Sequence, residues 1–121
     1  MDLERLTIEE HNGKKIILVN YNGLKEAGMV ELIKRHQELA LQTGLPFIAD
    51  FKNTYATTGF MKHARRFVEA TKPTNDKGAL LGIDSIKSMI LKGVLILYRV
   101  NYEPFENKEQ AIAFLTAVNP V

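Results

Sequence analysis

The sequence predicts one α/β domain, in which helices cover a mixed, mostly parallel five-stranded sheet, with the elements in the order ββαβαβαβα. Three observations support this prediction. The chain has 121 residues, the length of a single domain over 1–121. Hydrophobic residues make up 45% of it, which is enough for one core. Short apolar runs alternate with segments of helical periodicity, and this alternation is typical of parallel sheets with packed helices.

The first two strands are predicted to form a hairpin. Leu6 and Ile8 alternate with polar residues, as in a strand with one solvated face. Asn12 and Gly13 follow, and this pair favours a two-residue turn because both positions need positive φ. Residues 16–19 are continuously apolar, as in a strand that is buried on both faces. We therefore expect the first strand to lie antiparallel at an edge of the sheet.

The first helix is predicted over residues 25–43, ending at Gly44 before Pro46. Its inner face is predicted to consist of Met29, Ile33, His36 and Ala40. We expect His36 to be half-buried, with its hydrogen bonds satisfied. Residues 47–51 predict the next buried strand.

A second helix is predicted over residues 59–72, where Pro73 ends it. Its apolar side is predicted to consist of Phe60, Ala64, Phe67 and Val68. Residues 78–83 predict a further buried strand, and Asp84 is placed to cap a helix that begins at Ser85.

The third helix permits two interpretations. A predicted core stripe at helical spacing comprises Ile86, Met89, Ile90, Val94 and Leu97. Residues 94–98 alone also have the composition of a strand, and Gly93 is a candidate break. We prefer a helix as far as Tyr98, followed by an edge strand at 100–105 that contains Pro104.

The last helix is predicted from a capping pair, Asn107 and Gln110. Its inner face is predicted to consist of Ala111, Phe114, Leu115 and Val118.

Composition and missing motifs exclude several function classes. The chain has no cysteine, which removes disulfides, thiolate zinc sites and thiol catalysis. The net charge of +2 is too small to indicate nucleic-acid binding. Neither a signal peptide nor a membrane span is recognisable, so we expect a cytoplasmic protein without stable membrane insertion.

Catalytic signatures are also missing, and we predict neither an enzyme nor a cofactor. The sequence has no phosphate-binding glycine loop, no nucleophile elbow and no histidine spacing typical of a metal site. An active site would require Asp50, Asp84 and His63 to converge in one cleft.

Several strings carry a family resemblance. They are IILVNYNG at 16–23, FIADF at 47–51, GALLGI at 78–83 with Ile86 and Lys87 behind it, Pro104-Phe105, and EQAIAFL at 109–115. Together with the element order, they resemble the SpoIIAA-like branch of the STAS superfamily, which is named for anti-sigma factor antagonists and sulfate-transporter tails. The resemblance covers nearly the whole chain. It implies a small α/β layer fold, shared in kind with CRAL-TRIO lipid-transfer proteins, and a non-catalytic regulatory role through protein–protein contact.

The resemblance also implies a regulatory loop at residues 50–59. In anti-sigma factor antagonists, a strand ends in Asp, and a partner kinase phosphorylates a serine in the string that opens the next helix. Thr57 and Thr58 match that string and are therefore phospho-acceptor candidates. The loop residues implied to contact a partner are Asp50, Asn53 and Tyr55. The alternative is that one threonine only caps the helix with its hydroxyl.

The second helix carries basic side chains that are candidates for anion binding. Lys62, Arg65 and Arg66 fall on its outward side, and the planar guanidinium group suits ligands with two oxygens. The anion would belong to an acidic partner, a phosphorylated ligand or a lipid surface. The alternative is a solvated face on which Glu69 pairs with both arginines.

The third helix has a second apolar stripe, Leu91, Leu95 and Tyr98, and is therefore apolar nearly all round. Such a helix is either fully buried or binds another molecule with its outer face. With Met89, these residues are candidates for a homodimer surface or for a pocket that holds a lipid or another small apolar ligand. The alternative is packing under the following loop and against the last helix.

Overall fold

The computed structural model describes residues 5–75 and 77–117. In this part of the chain, the elements are β1 (Leu6–His11), β2 (Lys14–Asn20), α1 (Glu26–Thr43), β3 (Phe47–Asp50), α2 (Thr58–Thr71), β4 (Lys77–Leu81), α3 (Ser85–Tyr98), β5 (Asn101–Phe105) and α4 (Lys108–Thr116). The predicted position of Val118 on the last helix lies outside the described residues. None of the helices described is long and apolar enough to cross a membrane.

The sheet has the strand order β1-β2-β3-β4-β5. β1 pairs antiparallel with β2, and each later strand pairs parallel with the one before it. The predicted order and the antiparallel edge are therefore confirmed. The hairpin turn is also as predicted, because Asn12 and Gly13 have φ values of 53° and 78°.

Two apolar cores lie on the opposite faces of the sheet. On one face, α1, α2 and α3 cover a core that includes Ile17 and Val19. On the other, α4 packs its Ala111 and Leu115 against Ile16. The continuous apolar run at 16–19 thus supplies both faces in alternation, as a strand covered on both sides requires.

The helix ends follow the local signals in the sequence. The side chains of Thr57, Asp84 and Asn107 each accept a hydrogen bond from the backbone N–H three residues later. Gly44 ends α1 in the left-handed region, with φ of 68°. These caps explain why the predicted helix boundaries were accurate to within one or two residues.

Residues 94–98 are helical, and the predicted core stripe of α3 is correct for Ile90 and Val94, which face the cavity, but wrong for its other three members. Ile86, Met89 and Leu97 are 72%, 76% and 69% exposed, whereas Leu91 and Leu95 pack against the core. Both stripes are apolar, so periodicity alone could not choose between them. In the observed orientation, the Lys87 ammonium donates hydrogen bonds to the backbone carbonyls at the carboxyl ends of β3 and β4.

Candidate functional site

A cavity of about 120 Å³ lies between the sheet and the three helices on one face. Its walls include Phe47 and Leu80 from the sheet, Phe60 and Phe67 from α2, and Leu91 and Val94 from α3. Nearly all of these groups are apolar. An apolar space of this size is suited to a small hydrophobic molecule.

Phe47 can lie across the sheet because its neighbour on β4 is glycine. A Cβ atom on Gly78 would come within 2.5 Å of the Phe47 ring. The ring meets Phe67, Tyr102 and His36 edge-on, with centroid distances of 5.6, 5.1 and 4.8 Å. The floor of the cavity is therefore a cluster of aromatic rings in edge-to-face contact.

The loop between β3 and α2 forms another wall of the cavity. Phe51 stacks on Tyr21 with ring centroids 4.7 Å apart, and Thr54 is buried with its hydroxyl donating to the Phe51 carbonyl at 2.6 Å. Tyr55 contributes to the lining at the rim, although 83% of its surface is exposed. The candidate regulatory loop therefore also encloses the cavity.

Lys87 lies where the cavity meets the carboxyl end of the sheet, with its side chain 13% exposed. Its Nζ donates to the carbonyl oxygens of Phe51, at 3.0 Å, and Gly82, at 3.2 Å. The Asp84 carboxylate lies 3.9 Å away. The ammonium is thus hydrogen-bonded to the backbone carbonyls that follow β3 and β4, and these bonds link α3 to the sheet beside the cavity.

His36 differs from the expectation of a half-buried, satisfied residue. It is 2% exposed and lines the cavity, and its Nε2 has no hydrogen-bond partner among the described residues. Burial lowers the pKa of the imidazole from 6.5 to about 3, so the ring is neutral at pH 7. An unpaired polar atom in an apolar site is costly unless something pairs with it.

The regulatory candidates lie together at one edge of the sheet. Thr57 is the N-cap of α2, with its Oγ1 accepting from Phe60 N at 3.2 Å, whereas Thr58 is the exposed first residue of that helix. The Asp50 carboxylate accepts from Lys52 N at 2.9 Å within the same loop.

Asn53, in the same loop, has a positive φ of 57°. Its amide donates to the Asn22 side chain at 3.1 Å, which ties the loop to the segment after β2. These hydrogen bonds therefore hold the loop in one conformation against the segment after β2.

The basic residues of α2 face outward. Lys62, Arg65 and Arg66 are exposed, and no carboxylate in the described part of the chain lies within 4.0 Å of them. Glu69 instead accepts a hydrogen bond from the Tyr98 hydroxyl at 2.9 Å, which raises the pKa of that phenol. The contact joins α2 to α3.

The four apolar candidates on α3 do not form one surface. Leu91 lines the cavity, Leu95 and Tyr98 are partly buried against the core, and Met89 points away from it. The exposed large hydrophobic residues of the outer face are Ile86, Met89, Ile96 and Leu97. Among the described residues, no group of three or more His, Asp or Glu side chains could hold a metal ion.

Sequence reasoning missed the roles of Lys87 and His36. Both follow helical spacing among apolar neighbours, which is the available signal: Lys87 is in line with Leu91 and Val94, and His36 with Met29 and Ile33. Their hydrogen-bonding partners, or lack of them, depend on segments that are distant in the chain. Periodicity therefore indicates which residues are buried, but it does not indicate whether a buried polar group has a hydrogen-bond partner.

Neither a family model nor a curated protein matches this sequence. Among solved structures, the chain is similar to an anti-sigma-factor antagonist (STAS) domain protein from Planctomyces limnophilus, with a TM-score of 0.62 and 13% identity over 93% of this chain and 98% of that one. It is also similar to a DUF3478-family protein with a SpoIIAA-like fold from Shewanella loihica PV-4, with a TM-score of 0.71 and 14% identity over 91% of each chain. At these identities the similarity establishes the fold, and the SpoIIAA-like resemblance is confirmed at that level.

Burial of His36 predicts that the protein loses stability as the pH falls from 6.5 to 5. The unfolded imidazole takes up a proton near pH 6.5, whereas the folded one does so only near its pKa of about 3. The free energy of unfolding should therefore fall with a slope that approaches about 1.4 kcal/mol per pH unit. Urea unfolding measured between pH 5 and 7.5 gives this slope.

His36→Phe should flatten the slope, because it removes the titrating group. His63→Gln is the control, since that side chain is only partly covered and most of the slope should remain. Equal slopes for the wild type and His36→Phe would contradict the assignment.

Proposed function

We propose that the protein is a non-catalytic binding domain that holds a small apolar ligand in the cavity beneath α3. The observation that carries this proposal is the 120 Å³ apolar space itself. Of the described residues that line it, Lys87 alone is charged at pH 7, and two backbone carbonyls already occupy its ammonium. The site therefore favours uncharged, hydrophobic surface.

The apolar walls of the cavity also support a binding role. Side chains that face an unfilled space have no contact atoms on that side. A hydrophobic ligand that occupied the space would add these contacts and remove apolar surface from water.

The wall formed by α3 supports a route of entry. None of its side chains is fully buried, and the neighbouring loop places the exposed Tyr55 at the rim of the cavity. Movement at this boundary would disturb fewer buried contacts than movement of α1 or α2, whose inner faces are fully buried. A ligand would therefore enter between α3 and the loop.

Filling the cavity should abolish ligand binding. Toluene at ten times its Kd is expected to raise the Tm of the wild type by roughly 3–6 °C, because it binds only the folded state. Ala64→Leu places additional carbon atoms in the cavity lining and should remove this increase. The measurement is thermal unfolding with and without toluene.

Ala113→Leu is the matched control, because that position is exposed on α4 on the other face of the sheet. It should keep the full increase in Tm. No increase in the wild type, or an equal increase in Ala64→Leu, would disprove binding at this site.

We also propose that loop 50–59 is a protein-contact surface that phosphorylation of Thr58 regulates. The supporting observation is the difference between the two threonines: the Thr57 hydroxyl is engaged as a helix cap, whereas Thr58 is exposed. A phosphate on Thr58 would lie at the positive end of α2, one turn before Lys62. The exposed Tyr55 ring would form part of the same contact surface.

This second proposal predicts that Thr58 carries phosphate and Thr57 does not. The protein is isolated from the organism that produces it, from growing cells and from starved cells. Fragmentation mass spectrometry distinguishes the two adjacent positions. Thr58→Val should lose the modification, and Thr57→Val, the matched control, should keep it while losing about 1 kcal/mol of stability with the cap. Phosphate on Thr57, or none in either condition, would disprove the regulatory role of Thr58.

A further inference from the structure

We infer that the ligand is a single neutral aromatic ring that bears one hydroxyl group, and that this hydroxyl forms a hydrogen bond with His36. The inference rests on the proposed function of the cavity and specifies the chemical class that fits it. Three independent features support it: the volume of the space, the nature of its walls, and the buried Nε2 of His36, which has no hydrogen-bond partner among the described residues.

The volume limits the ligand to about one ring. The cavity measures about 120 Å³, and an apolar cavity of roughly 150 Å³ in a protein core binds benzene. A single ring therefore fits within the space, whereas most of a long acyl chain would lie outside it.

The walls favour a ring over a short branched chain. Phe47 and Phe67 are perpendicular, with an interplanar angle of 90°, and Phe47 and Tyr102 meet at 77°. Phe60 lines the same space from α2. Aromatic rings attract one another in edge-to-face and offset arrangements with centroids 4.5–7 Å apart, so a ring that enters this cluster gains directional contacts.

His36 explains why the ring should carry one polar group. Its Nε2 is buried and has no hydrogen-bond partner in residues 5–75 and 77–117. Because the imidazole is neutral, Nε2 is either a donor or an acceptor, depending on the tautomer. A hydroxyl group can both donate and accept, so it satisfies either tautomer.

Lys87 explains why the ligand should be uncharged. Two of its three donor positions are directed at the carbonyls of Phe51 and Gly82, and the Asp84 carboxylate lies 3.9 Å from the ammonium. An anionic ligand would have to compete with these groups. A neutral hydroxyl at His36 leaves this arrangement intact.

The test compares phenol with toluene by ¹⁵N NMR of the histidine side chains in the unmodified protein. Phenol should shift the Nε2 resonance of His36 in the direction of hydrogen bonding, and toluene should shift it far less. The resonances of His11 and His63, which do not line the cavity, should remain in place with both ligands. This measurement uses no amino-acid substitution, so its result does not depend on whether a variant folds.

Affinities provide the second measurement. His36→Phe keeps a ring of similar size but removes Nε2, so the ratio of the toluene Kd to the phenol Kd should fall roughly 3- to 10-fold. Comparing ratios cancels the difference in hydrophobicity between the two ligands. Decanoate, an anionic chain, should bind more weakly than phenol.

The outcomes separate this inference from the proposed function. If both rings bind and the His36 resonance and the affinity ratio are unchanged, the hydroxyl assignment is overturned while the apolar site stands. Tighter binding of decanoate than of phenol would overturn the ring class. If none of the three ligands binds, the proposed function of the cavity fails as well.

Discussion

The first turn of α3 is held over the sheet by a partly buried polar contact, the hydrogen bonds from the Lys87 ammonium to the carbonyls of Phe51 and Gly82, while Tyr98 and Glu69 join the far end of the helix to α2. These carbonyls lie just after β3 and β4, so the contact joins the helix to the carboxyl ends of two central strands. In this orientation Leu91 and Val94 face the cavity and Met89 faces away from it. Replacing the Lys87 side chain by an apolar one would remove the side-chain donor of the Gly82 carbonyl, whereas the Phe51 carbonyl would keep the hydrogen bond from the Thr54 hydroxyl. The contact therefore contributes to holding α3 over the cavity.

The same edge of the sheet combines both proposed activities. Phe51 and residues 54–56 line the cavity, and the segment continues directly into the Thr57 cap and the exposed Thr58. A ligand in the cavity and a protein on the loop would thus contact opposite sides of one short segment. This proximity provides a physical route by which occupancy of the cavity would alter the surface that a partner contacts, without any catalytic step.

Local signals in the sequence were sufficient to predict most of the fold. The Asn12-Gly13 turn, the left-handed Gly44 and the Asp84 cap each depend on neighbouring residues, and each is where the sequence indicated. The orientation of α3 was not predictable, because its two apolar stripes differ only in what they meet across the fold. The same holds for the site: the unpaired Nε2 of His36 results from packing against Phe47 and Phe67, which are distant in the chain.

A crystal structure determined under xenon pressure would test the cavity most directly, because xenon enters dry apolar spaces and scatters strongly. We expect one xenon atom between the sheet and α3, in contact with Phe47, Phe60 and Leu80, with the Lys87 hydrogen bonds unchanged. A structure without xenon there, in which the side chains of α3 have collapsed onto the sheet and filled the space, would contradict the binding role.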